Sequence, residues 1–233
     1  MTGGQRARGG WQAAIVVAGP ALAQLAVAAH AADAGWIALA AVATLAGWRF
    51  LAYVDAATSG AAASRALAAG TLGMLAGFAW DAHGMGLPLA VSLCGATRDV
   101  GAALWSHVNG LPAMHVGMLA GGIATMRLRR DDGVSGAARP AVAAWLRGTG
   151  CCVAMLTGMS AGALAAGHLA SLLAVAAHAA AGSPVAMTGG MFAGMTWGMA
   201  GWACMRRGGR ALRRSVAAVV SEYRDGQHRP VRP

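Results

Sequence analysis

Hydrophobic positions along this chain run in long blocks rather than alternating with polar ones, and short clusters of arginine separate the blocks. Crossing ~30 Å of hydrocarbon takes about 20 apolar residues. Six blocks meet that need, near 11–32, 36–54, 66–90, 108–126, 150–180 and 184–205. The pattern predicts an all-α polytopic integral membrane protein of about six transmembrane helices. Arginine falls at Arg6 and Arg8, at Arg65, between Arg127 and Arg147, and from Arg206 to Arg214. These segments share one side of the membrane if both termini are cytoplasmic, which is the positive-inside arrangement. The expected location is therefore a bacterial inner (cytoplasmic) membrane. A cleaved signal peptide is the competing reading of residues 1–31, from Arg6, Arg8, the apolar stretch and Ala29-His30-Ala31. Cleavage would leave five spans and an external N-terminus.

Within the blocks the pattern Gly-Met-x-Ala-Gly occurs four times, at Gly73-Met74, Gly117-Met118, Gly158-Met159 and Gly190-Met191. Gly73 and Gly158 are each followed ten residues later by histidine, His83 and His168. Gly117 and Gly190 are each preceded by Ala-Met, with Met114 and Met187, and each is followed by an arginine cluster. A tandem-duplicated helical hairpin accounts for all of this, with repeats at about 66–130 and 150–210. The expected organisation is an N-terminal hairpin over 1–60, a Met/Gly-rich four-helix core over 61–214 and a cytoplasmic basic tail over 215–233. Two repeats of the same orientation imply a pseudo-two-fold axis along the membrane normal.

Composition agrees with lipid as the solvent. Of 233 residues, 57% are apolar and only 11% charged, against roughly a quarter charged in soluble domains. The net charge of +10 would suggest nucleic acid in a soluble protein, but here it is explained by the loops, so no nucleic-acid partner is expected. All 18 basic residues are arginine, which a GC-rich genome explains.

At ~100° per residue, Met114, Gly117, Met118 and Gly121 share one helical face, as do Met187, Gly190, Met191 and Gly194. Spans three and five repeat this with Gly73, Met74 and Gly77 and with Met155, Gly158, Met159 and Gly162. The plain reading is packing: glycine lets membrane helices approach and methionine fills the gaps. The functional reading is a thioether path for a soft cation, since thioether and imidazole together suit Cu(I). The local pairing of MxxxM with GxxxG resembles the pore helices of the copper-transporter family, and that resemblance implies a sulfur-lined path for copper. The chain departs from that family in lacking a Met-rich outer domain, in having more spans and in merging both patterns in one helix.

The candidate metal ligands are Met74, Met118, Met159 and Met191, with Met114 and Met187 beside them and His83, His115, His168 and Asp81 as uptake or coupling groups. Met74 and His83 cannot share an ion on one unbroken helix, because nine residues separate them by ~13 Å. Asp81 is the one carboxylate well inside an apolar block. It is either a buried functional group, with His83 or His168 as its partner, or an interfacial residue. The run Asp81 to Pro88 should kink or break span three, with Gly167-His168 at the matching place in span five. Cys151, Cys152 and Cys204 lie near predicted inner ends and could receive a soft metal. Trp36, Trp48, Trp80, Trp105 and Trp202 read as an interfacial belt. No hydrolase or phosphate-binding motif occurs, and catalysis is not expected.

Copper transport or handling is thus the leading expectation. A non-catalytic assembly subunit joined to itself or to other membrane helices through glycine stripes is the alternative. A haem- or quinone-associated redox protein, with His115 and His168 as haem ligands, stands third.

Overall fold

The computed structural model describes residues 3–28, 33–56, 62–93, 100–127, 139–177 and 184–227. Every regular element among them is a helix: α1 (Gly3–Val27), α2 (Asp33–Ala56), α3 (Ala62–Met85), α4 (Leu87–Leu93), α5 (Val100–Gly110), α6 (Pro112–Arg127), α7 (Arg139–Ala177) and α8 (Pro184–Gln227). Among the described residues two segments are long and apolar enough to cross a membrane, Asp33–Ala56 and Gly148–Leu173. The other expected spans fall short for identifiable reasons. Helix α6 has 16 residues, about 24 Å at 1.5 Å per residue. Helix α3 carries Arg65, Asp81 and His83 towards its ends, and α8 owes much of its apolar length to glycine, threonine and tryptophan, which contribute little hydropathy.

Helix breaks fall where backbone chemistry demands them. Span three is interrupted at Gly86, whose φ of 87° is left-handed, a conformation that glycine adopts without a Cβ penalty. Span four is divided at Leu111, and α6 restarts on Pro112, the position where a missing N–H costs nothing. Span five differs from expectation: α7 runs unbroken through Gly167-His168. No proline lies nearby, and the Met187 side chain packs 3.3 Å from where a Gly167 Cβ would sit. The last helix continues without a break past the sixth apolar block and reaches Gln227.

The packing is pairwise. Helix α3 lies along α6, α7 along α8, and α2 on the other flank of α8, while α1 bridges α2 and α3. Both principal pairs meet backbone to backbone. A Cβ built on Gly73 would strike the Gly117 carbonyl, and one on Gly117 would strike that of Gly73. Gly77 stands in the same way against Ala113, and Gly121 against Ala69. In the second pair Gly158 meets Gly194, Gly162 meets Gly190 and Gly198 meets Ala154. As one number rises by four the other falls by four, so each pair is antiparallel. The registers are not the same. The first glycine of the motif in α3 faces the first in α6, but the first in α7 faces the last in α8, a displacement of four residues, about 6 Å along the axis.

Helix α2 docks on α8 through Gly47, which lies under Thr196 and Trp197. The Trp197 indole donates a 3.1 Å hydrogen bond to the Ala43 carbonyl and stacks on Phe50 with centroids 5.9 Å apart. The tryptophans expected to form an interfacial belt differ in exposure. Trp80 and Trp105 are exposed, whereas Trp48 lies in the core and Trp202 packs against Gly150.

Candidate functional site: a sulfur-rich interior

The glycine ladders bring the paired backbones so close that the adjoining methionines are pressed to the inside. Met74 of α3, Met114 and Met118 of α6, Met155 and Met159 of α7, and Met191, Met195 and Met199 of α8 are all buried in one hydrophobic cluster. Met118, Met155, Met159 and Met199 have no exposed surface at all. Thioethers from four helices therefore share one interior. The Met155 sulfur lies 3.1 Å from where a Gly70 Cβ would sit, and its methyl 3.2 Å from the equivalent point on Gly122. Met187 is only partly buried.

Sequence reasoning named Met74, Met114, Met118, Met159, Met187 and Met191 as ligands and placed Met155, Met195 and Met199 only on the same helical faces, although these three are at least as deep. The four-residue spacing from Met155 to Met159, and from Met191 through Met195 to Met199, is the signal that finds them.

Cys151 joins the same cluster, its thiol 3.4 Å from the Met199 sulfur. Cys152 is buried beside it, and Cys204 is half-buried.

The polar candidates part company. Asp81 is buried, but its partners are neither His83 nor His168. Its Oδ1 accepts the Ala113 N–H at 3.2 Å and its Oδ2 the Met114 N–H at 2.9 Å. Leu111, immediately before α6, has no side chain able to cap the helix, and the carboxylate of α3 supplies the cap from outside. A negative group at a helix N-terminus is also favoured by the helix dipole. Asp55 does the same for α3, accepting the Ser64 N–H at 2.8 Å. The two buried carboxylates thus fix how one helix starts against another. Asp81 is engaged in that role, which leaves it poorly placed to ligate an ion.

His83 and His168 are exposed and lie outside the methionine cluster. His115 is buried. An exposed and a buried imidazole do not present matching faces to one haem. His30, His178, His228 and Cys94 lie outside the described residues. Among the described residues no three His, Cys, Asp or Glu side chains come together as a metal cage. An ion held in this interior would depend on thioether sulfur.

A separate apolar groove of about 280 Å³ opens between α2, α7 and α8, with Trp36, Leu39, Ala166, Leu169, Ala193 and Trp197 among its walls. It lies on the outer side of the α7–α8 ladder.

Comparison with known protein families, with curated proteins and with solved structures finds no match for this chain.

Proposed function

We propose that the chain is a six-span inner-membrane protein, built from a duplicated helical hairpin, that transports or handles a soft transition metal, copper as Cu(I), through its sulfur-rich interior. One observation carries this reading: methionines from α3, α6, α7 and α8 are buried in a single cluster. Thioethers are poor ligands for hard ions and good ones for Cu(I). The membrane setting draws support from the two long apolar helices and from large side chains left outside, among them Leu22, Val42, Leu72, Val116 and Leu172. Such a surface is poorly suited to water and well suited to lipid. Reciprocal glycine contacts in both helix pairs support the duplication.

The test is copper content and affinity in detergent-purified protein, loaded anaerobically with Cu(I) and titrated against a chelator. Stoichiometric Cu(I), weakened at least tenfold by Met118→Leu and by Met159→Leu, is the expected result. Leucine is close to methionine in volume, so the fold should survive these changes. Protein that binds no copper under these conditions would remove the reading.

The assembly reading has one observation in its favour, the groove between α2, α7 and α8. Its original basis is weaker, because the motif glycines are consumed inside the chain by α3–α6 and α7–α8 contacts. A mass in detergent larger than one chain, returning to one chain on Ala193→Trp, would support it.

A further inference from the structure

Resting on the soft-metal reading above, we propose that Nε2 of His115 is the nitrogen ligand of the bound ion, acting with the thioether of Met118 one turn along α6. The imidazole is 5% exposed, and its Nδ1 lies 2.9 Å from the Leu111 carbonyl. A carbonyl only accepts, so Nδ1 carries the proton and Nε2 presents a lone pair. That Nε2 is buried and has no hydrogen-bond partner, an arrangement that is costly unless something occupies it.

Among the described residues, buried hydroxyls of α3, α7 and α8 are engaged elsewhere. Thr71 donates to Leu67, Ser160 to Leu156, Thr188 to Pro184 and Thr196 to Phe192, each within its own helix. A ring N–H tied to a backbone carbonyl, with the opposite nitrogen bare, is the usual preparation of a metal-binding histidine.

The surroundings supply sulfur. His115, Met118 and Gly122 lie at i, i+3 and i+7, on one face of α6. At Gly122 that face meets the methyl of Met155 from α7, and Met159 follows one turn further along α7. Imidazole with thioethers is a donor set that Cu(I) accepts and that hard cations do not.

X-ray absorption on full-length protein loaded with Cu(I) in detergent tests the assignment. The wild type should show a nitrogen scatterer beside sulfur. His115→Leu should lose that nitrogen and bind Cu(I) at least tenfold more weakly. His115→Met should recover affinity with an all-sulfur shell. Thermal unfolding of the metal-free His115→Leu protein should be no lower than wild type, since an unsatisfied polar atom has been removed. A histidine with a purely structural role would instead lose stability and leave the copper spectrum unchanged. An all-sulfur shell in the wild type would overturn this ligand while leaving the soft-metal reading in place. Absence of copper from every variant would overturn both.

Discussion

Asp81 on α3 holds the first turn of α6 by accepting the backbone N–H of Met114 at 2.9 Å. The same carboxylate takes the N–H of Ala113, so its removal strands two donors at a buried helix end. Asp81→Ala should lower stability by about 1–3 kcal/mol. Asp81→Asn, which keeps one acceptor oxygen, should lose less. Thermal unfolding in detergent measures both, and copper uptake by Asp81→Asn should match wild type, because both carboxylate oxygens are engaged by backbone N–H groups.

The glycine ladder gives a second expectation. Gly73→Ala and Gly162→Ala place a methyl against a facing carbonyl oxygen and should cost about 1–3 kcal/mol through forced separation of the pair. Gly201→Ala is the control. Its Cβ would meet nothing within 4 Å, and the change should be neutral or stabilising by up to about 1 kcal/mol. Equal effects at all three positions, read by unfolding temperature, would contradict the ladder.

Trp197 ties α2 to α8 by its hydrogen bond to Ala43 and its contact with Phe50. Trp197→Phe keeps the ring but leaves the Ala43 carbonyl without the indole donor, and should cost about 1 kcal/mol. Trp197→Ala, at a residue 46% exposed, loses the ring contact as well and should cost more, about 1.5–2.5 kcal/mol. Protease susceptibility of the link between α2 and α3 should rise in the same order.

The thiols should differ in reactivity. Cys151 and Cys152 are buried and Cys204 half-buried, so a maleimide applied to the folded protein should label Cys204 first. Cys151 should label only after unfolding, because its thiol is packed against the Met199 sulfur. Labelling of single-cysteine variants, quantified by mass spectrometry, provides the measurement.

The Gly-Met stripes were legible in the sequence because their four-residue spacing is a property of one helix at a time. Their burial in one cluster follows from the same spacing, since the glycines that admit a neighbour sit beside the methionines it covers. The break at Gly86 was legible as well, because glycine and proline act locally. What a single helix cannot reveal is which other helix completes it. Asp81 looked like a stray intramembrane charge because the N–H groups it serves lie more than thirty residues away. His83 and His168 matched in spacing from their motifs yet stand outside the cluster, since ten residues at ~100° each turn a side chain about 80° away from the motif face. His115 was already a candidate from the sequence, but that its Nε2 is buried without a hydrogen-bond partner could be read only from the packed structure.

The four-residue offset between the two glycine ladders bears on how such a chain tolerates insertions and deletions. A ladder with rungs every four positions has several equivalent notches, and a pair of helices can settle in any of them with its methionines still turned inward. Lengthening the chain between partners by a whole turn therefore shifts the notch without spoiling the fit. An indel of two residues inside a ladder would instead swing the thioethers to the opposite side. Families built on this plan should drift in steps of a turn, and residues that align by motif will not always be neighbours of the same partner in space.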